Sequence, residues 1–129
     1  MLADIDDACK QANIWPDAFF SGHAHSIQRY TRSVPVGGQA LTIPCIVSGC
    51  GGHGGQKVAT TGSAPGGNST FDFAYEGWGY TKAVIIQKAL TITSYGVDAT
   101  STKQVDSVTI RLAVGLGFRT RSPHLDNHI

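Results

Sequence analysis

Residues 80–112 read YTKAVIIQKALTITSYGVDATSTKQVDSVTIRL, and this stretch decides the fold class. Apolar and polar residues alternate along residues 90–97 and again along 105–112, which is the period of a half-buried β-strand. A third run of strand-forming residues precedes them and is separated from them by Lys88 and Ala89. Because this connection is short, we expect a tight antiparallel hairpin there. The stretch therefore predicts a three-stranded meander.

The first part of the chain predicts one helix and three shorter strands. Residues 4–13 place apolar side chains at helical spacing and begin with acidic residues, which suit the positive end of a helix dipole. The predicted strands are residues 18–21, 26–34 and 41–48. Pro44 lies inside the last of these strands and indicates a sheet edge or a bulge. Mostly antiparallel strands with one N-terminal helix predict an α+β, β-dominated fold.

Glycine is concentrated in one segment. Eight of the 16 glycines lie between Gly49 and Gly67. Residues 49–70 show no helix or strand period, so we predict a long loop there, either functional or disordered. Residues 113–129 lose the strand pattern and predict a flexible tail.

The composition excludes several classes of protein. The chain of 129 residues has 15% charged residues and a formal net charge of +1, which argues against nucleic-acid binding and against a polybasic membrane anchor. No apolar run reaches the roughly 18 residues that a membrane helix needs, so we expect no membrane partner. Acidic residues stand where a signal peptide would be basic, which predicts no export signal and leaves the compartment open. Three cysteines do not predict a disulfide framework.

The strongest chemical signal is Ser21-Gly22-His23-Ala24-His25. Two histidines at positions i and i+2 follow a buried strand, and imidazole is the commonest metal ligand near neutral pH. The strand end fixes the backbone, and the loop lets both rings turn toward one point. The alternative interpretation is a surface turn that happens to hold two histidines.

The sequence around this pair, DAFFSGHAHSIQR over residues 17–29, resembles the last metal-binding motif of the calcineurin-like metallophosphoesterases. It is most similar to the purple acid phosphatase branch, in which Gly-His-x-His is followed by an aromatic residue, an acidic residue and Arg. The matching positions are Gly22, His23, His25 and Arg29. Ile27 stands in the aromatic position and Gln28 in the acidic one. IVSGCGG over residues 46–52 and EGWGY over residues 76–80 resemble the segments that follow this motif, so the similarity covers roughly residues 1–112.

The resemblance implies a metal-dependent hydrolase that cleaves phosphate esters, and thus a phosphatase. Residues 1–112 would be a partial metallophosphoesterase domain, the C-terminal half of a four-layer α/β/β/α sandwich. His23 and His25 would each hold one ion of a binuclear iron, zinc or manganese type of centre. In that family an Asp-x-His motif, a bridging Asp, an Asn-His pair and one more His precede Gly-His-x-His, and residues 1–16 contain no histidine.

The missing ligands lead us to expect a fragment that is inactive alone. Its partner would be the missing N-terminal half or a second chain. Two other interpretations stay open: a non-catalytic β-rich binding module, and a mononuclear metal-binding protein that uses His23, His25 and one outside donor.

Gly49-Cys50-Gly51-Gly52-His53-Gly54 matches the dinucleotide fingerprint G-x-G-x-x-G, but the residues that follow do not predict the helix that the fingerprint needs. One alternative is a flexible loop. Another is a loop that lies beside His23 and His25, shapes a substrate entrance and lets His53 touch the substrate.

Other residues with chemical potential have simpler explanations. Arg29 and Arg32 follow the histidines and could bind phosphate, although a structural or solvated arginine is the alternative. Cys45 and Cys50 match no zinc motif and predict small buried side chains. Asp126-Asn127-His128 could replace missing ligands, but a disordered polar tail is the simpler interpretation.

Overall fold

The computed structural model describes residues 2–58, 68–112 and 118–120. It contains one helix, α1 (Leu2–Ala12), and nine strands within these residues. The strands are β1 (Ile14–Pro16), β2 (Phe19–Ser21), β3 (Ile27–Val36), β4 (Gln39–Ser48), β5 (Ser69–Tyr75), β6 (Trp78–Ile86), β7 (Ala89–Val97), β8 (Thr102–Arg111) and β9 (Phe118–Thr120).

The strands form two main sheets and one small one. The first sheet has the order β2-β4-β3-β5, and the second has the order β6-β7-β8. The pairs within both sheets are antiparallel except β2 with β4, which is parallel. β1 pairs with β9 in the small sheet. The described part of the chain is therefore β-dominated with one helix and mostly antiparallel sheets, as predicted.

Two of the three long hairpins turn through residues with a positive φ angle. Gly37 and Gly38 join β3 to β4 with φ angles of 53° and 81°, a conformation that glycine adopts without a Cβ penalty. β6 and β7 are joined at Gln87 and Lys88, where Gln87 has a φ of 56°. The predicted hairpin at Lys88 is confirmed, with its turn shifted by one residue.

The sheets and the helix pack in three layers. On one face of the first sheet, the buried Val34 and Ile43 pack with the buried Trp15 of β1, and Cys9 of α1 packs against this cluster. The opposite face packs on the second sheet through Ile46, which contacts Leu90, Ile92 and neighbouring residues. The alternation read from residues 90–97 is the physical basis of this contact, because it turns every second side chain of β7 inward.

Three features differ from the sequence predictions. β1 forms at residues for which we predicted no strand, and β9 forms inside the predicted flexible tail; both have three residues, too few to show a period. β5 was not predicted, although its sequence STFDFAY alternates, because it adjoins the glycine-rich segment. Residues 59–67 of the predicted loop, and residues 113–117 and 121–129 of the predicted tail, lie outside the described residues.

The position of Pro44 agrees with the predicted sheet edge. β3 pairs with β4 across Thr31 and Pro44, whereas β2 begins to pair with β4 only at Cys45. Pro44 thus lies in the half of β4 that β2 does not cover, where a missing N–H costs least.

Candidate metal centre

The Gly-His-x-His loop and the glycine-rich segment both begin at the same end of the first sheet, where β2 and β4 finish. β2 runs parallel to β4, with Ser21 opposite Val47, so the carboxyl ends of both strands point the same way. Residues 22–26 follow one strand and residues 49–58 follow the other. Loops at the carboxyl ends of parallel strands form the usual place for a ligand in α/β sheets.

The histidine loop is tightly turned. The Ala24 N–H donates to the Gly22 carbonyl at 3.0 Å, and the Ser26 N–H donates to the Ala24 carbonyl at 2.8 Å. His23 has a φ of 73°, in the left-handed region that few side chains occupy. The His23 side chain is exposed and that of His25 is half-buried. These hydrogen bonds fix the backbone conformation of both histidines, and both side chains remain at least partly exposed to solvent.

Gly49 permits close contact between the two loops. A Cβ at this position would overlap the Ala24 carbonyl oxygen and lie 2.9 Å from its carbon. The Gly49 N–H also donates to the Ser26 carbonyl at 3.1 Å. The strand-then-glycine pattern noted in the sequence therefore has a steric cause, since only glycine fits against the histidine loop.

Gln56 joins the glycine-rich segment to His25 by two hydrogen bonds. The His25 N–H donates to Gln56 Oε1 at 3.0 Å, and the Gln56 N–H donates to the His25 carbonyl at 2.8 Å. No signal in the sequence indicated that Gln56 contributes to the site, because its partner His25 lies 31 residues away.

The far side of the segment is held as well. The Gly79 N–H donates to the Cys50 carbonyl at 3.3 Å, and the Val58 N–H donates to Glu76 Oε1 at 2.7 Å. A Cβ at Gly55 would overlap the Glu76 carbonyl oxygen. Residues 49–58 are thus an anchored loop without the helix that a dinucleotide fingerprint requires.

The anchored loop places His53 against His25. The two ring centroids are 4.2 Å apart and the ring planes are tilted by 37°. The Nδ1 atom of the His53 ring lies 3.4 Å from the Gly54 carbonyl oxygen. The structure therefore agrees with the interpretation in which the glycine-rich loop lies beside the histidines. A contact between His53 and a substrate stays a prediction.

The donors present fit only part of a metal centre. Within residues 2–58 and 68–112, no group of three or more His, Cys, Asp or Glu side chains is placed to hold a metal ion. A binuclear centre needs a bridging ligand and several more donors, and anionic donors offset the repulsion between two cations. The described residues therefore offer imidazole nitrogens but not the donors of a complete binuclear centre.

Arg29 is engaged in ion pairs between the sheets. Its Nε and one terminal nitrogen donate to the two carboxylate oxygens of Asp106 at 2.7 and 3.0 Å, and the other terminal nitrogen lies 3.0 Å from Asp72. The hydrogen bond to Asp106 is the main cause that raises the pKa of Arg29 above its usual range. Arg29 thus joins β3 to β5 and β8. Its role in phosphate binding stays a prediction that these contacts do not support.

Arg32 and the two later cysteines also have structural environments. Arg32 donates to both carboxylate oxygens of Asp6 and so ties β3 to α1. Burial raises the pKa of the Cys45 and Cys50 thiols above the usual value. Both therefore stay protonated near neutral pH, and a protonated thiol is a poor nucleophile and a poor metal ligand. Asp126, Asn127 and His128 lie outside the described residues.

No protein-family profile, curated protein or solved structure matches this chain. Among the described residues, the single helix is too short to span a bilayer.

Proposed function

We propose that this chain supplies the Gly-His-x-His ligands of a metal-dependent phosphoesterase. The observation that carries the proposal is the position of His23 and His25 in a tightly turned loop at the carboxyl end of a parallel strand pair. The order of motifs along residues 1–112 supports the same enzyme class. One helix on two facing sheets is also compatible with the C-terminal half of an α/β/β/α sandwich.

The roles of the residues follow from the chemistry of imidazole and phosphate. In this class, metal ions polarise the phosphoryl oxygens and activate a bound water as the nucleophile. His23 and His25 would each hold one metal ion with a neutral ring. Gln56 and Gly49 would keep the loop in place by their contacts with the backbone of residues 24–26.

We propose that the remaining ligands come from another polypeptide segment. Within the described residues, β2 pairs only with β4, and β6 pairs only with β7, so each has an edge open to a further strand. β6 also exposes large apolar side chains, which a soluble edge strand usually avoids. The exposed side chains are Trp78, Tyr80, Ile85 and Ile86. A preceding segment or a second chain could extend either sheet and bring carboxylates to the histidines.

The first test measures metal content. Iron, zinc and manganese should be quantified in the enzyme with its remaining segment supplied, and in His23→Ala, His25→Ala and the control His124→Ala. We expect each of the first two changes to weaken metal binding tenfold or more, as loss of a direct ligand does. Metal content unchanged in both would refute the site.

The second test measures hydrolysis of an aryl phosphate by the 129-residue chain with added manganese, zinc or iron. We expect no appreciable turnover, because two neutral ligands cannot hold two dications close together. Metal-dependent turnover that disappears in His23→Ala would show that the chain, or a pair of chains, contains a complete site. Metal bound without turnover, even with the remaining segment present, would favour a mononuclear metal-binding protein.

A further inference from the structure

We propose that His53 is a metal ligand that acts together with His25. The chain would then carry, by itself, a site for one borderline transition-metal ion such as Zn²⁺. This inference rests on the proposed function for the role of His25, and it adds a ligand from the glycine-rich loop that the motif does not contain.

The two rings are close enough to share an ion once one of them turns. Two imidazole nitrogens bound to one tetrahedral Zn²⁺ at about 2.0–2.1 Å place their ring centroids about 5 Å apart. The rings of His25 and His53 are 4.2 Å apart and tilted by 37°, a direct ring contact that leaves no space for an ion between them. The His53 ring must therefore swing away before a nitrogen of each ring can face the same ion, and its exposed side chain has room for this movement.

The ring contact of His53 suits the role of a ligand. Its Nδ1 lies 3.4 Å from the Gly54 carbonyl, which can only accept a hydrogen bond. When Nδ1 carries the proton and donates to this oxygen, Nε2 has a free lone pair for a metal. Metal-binding histidines commonly have their second nitrogen placed in this way.

The loop that carries His53 is anchored on both sides of it. Cys50 accepts a hydrogen bond from Gly79, and Gln56 bonds the backbone of His25 at both its N–H and its carbonyl. His53 thus lies in a segment of five residues, 51–55, between two fixed points. Much of the entropy cost of bringing the two ligands together is met by the fold before any metal binds.

The donor chemistry selects the kind of ion. Two imidazoles are neutral and of intermediate softness, which suits Zn²⁺, Co²⁺, Ni²⁺ or Cu²⁺ better than Mg²⁺ or Ca²⁺. Within the part of the chain that the structure describes, no third His, Cys, Asp or Glu side chain is placed with this pair, so water would complete the set.

The experiment is a titration of the full 129-residue chain with Zn²⁺ by calorimetry and with Co²⁺ by visible absorption. The variants are His53→Ala, His25→Ala and His23→Ala, with His124→Ala/His128→Ala as the matched control for the tail. Circular dichroism checks that each variant keeps its β structure. We expect His53→Ala and His25→Ala each to weaken Zn²⁺ binding at least tenfold and the control to bind as the wild type does.

A fifth variant separates a ligand from a residue that only packs. In His53→Cys, a thiolate replaces the imidazole, so bound Co²⁺ should gain a sulfur-to-metal charge-transfer band in the near ultraviolet that the wild type lacks. A residue with a purely structural role would not produce this band, and its absence would overturn the inference.

The variants also separate this inference from the proposed function. If His53→Ala binds as the wild type does while His23→Ala and His25→Ala are weakened, His53 is not a ligand and the Gly-His-x-His site stands. If His53→Ala and His25→Ala are weakened but His23→Ala is not, the inference stands, and the role of His23 is decided by the metal content of the enzyme with its remaining segment. If only the tail control loses binding, the inference fails. Weakened binding in all three single variants supports both and describes a three-histidine site.

Discussion

Gly49→Ala should destabilise the fold and separate the two loops of the candidate site. The new Cβ would overlap the Ala24 carbonyl oxygen and lie 2.9 Å from its carbon, both backbone atoms that no side-chain rotation can move. The backbone must therefore shift by roughly 1 Å to restore a normal contact. That shift breaks or lengthens the hydrogen bonds that Ser26 makes with Gly49 and Ala24, at 3.1 and 2.8 Å.

The expected loss of unfolding free energy is about 2–5 kcal/mol. Each of the two hydrogen bonds contributes about 1 kcal/mol, and overpacking typically adds about 1–3 kcal/mol. Replacing glycine restricts the unfolded chain and returns about 0.4–1 kcal/mol. The loss is a large part of the roughly 5–15 kcal/mol that stabilises a domain.

The assay is urea unfolding followed by tryptophan fluorescence, with Gly52→Ala as the matched control. Gly52 lies in the same loop, has nothing within 4 Å of an added Cβ, and its φ is outside the left-handed region. We expect the control to stay within about 0.5–1 kcal/mol of the wild type. Under the inference above, Gly49→Ala should also weaken Zn²⁺ binding, because His25 and His53 move apart. A stability and a Zn²⁺ affinity both equal to those of the control would refute the steric argument.

Two further predictions concern the sheets. Arg29→Met should lower the unfolding free energy by about 2–4 kcal/mol, because it leaves the partly buried carboxylates of Asp72 and Asp106 without their shared cation. Chemical denaturation measures this loss, and Arg111→Met, which changes an exposed arginine, is the control. Equal losses of unfolding free energy in both variants would contradict the prediction. The pKa of Asp98 is lowered from 3.8 to about 2 by hydrogen bonds from the backbone N–H and hydroxyl groups of Thr100 and Ser101. This stabilisation is fully present above pH 3.8 and is lost as pH falls through about 2, so the Tm difference between wild type and Asp98→Ala should narrow over that range. A constant difference would show that the charge of Asp98 is not the cause.

The local elements and one motif could be predicted from the sequence. Strand alternation over residues 90–97 and 105–112 identified β7 and β8, and helical spacing identified α1 to within two residues. The pair His23 and His25 stood out because both follow a short apolar strand. These features were predictable because period, capping and turn chemistry depend on residues only a few positions apart.

Tertiary structure alone decided what surrounds the histidines. The parallel pairing of β2 with β4 joins segments about 26 residues apart, with Phe19 opposite Cys45, and it brings two loops to one edge. The contact of His53 with His25 depends on this pairing and on Gln56. Likewise, the sequence suggested that Arg29 could bind phosphate because it follows the histidine motif. In the structure Arg29 binds the carboxylate of Asp106, which lies 77 positions away and could not be linked to it from the sequence. Such contacts follow from how two sheets stack, and that is set by packing across the whole core, on which local sequence periods carry no information.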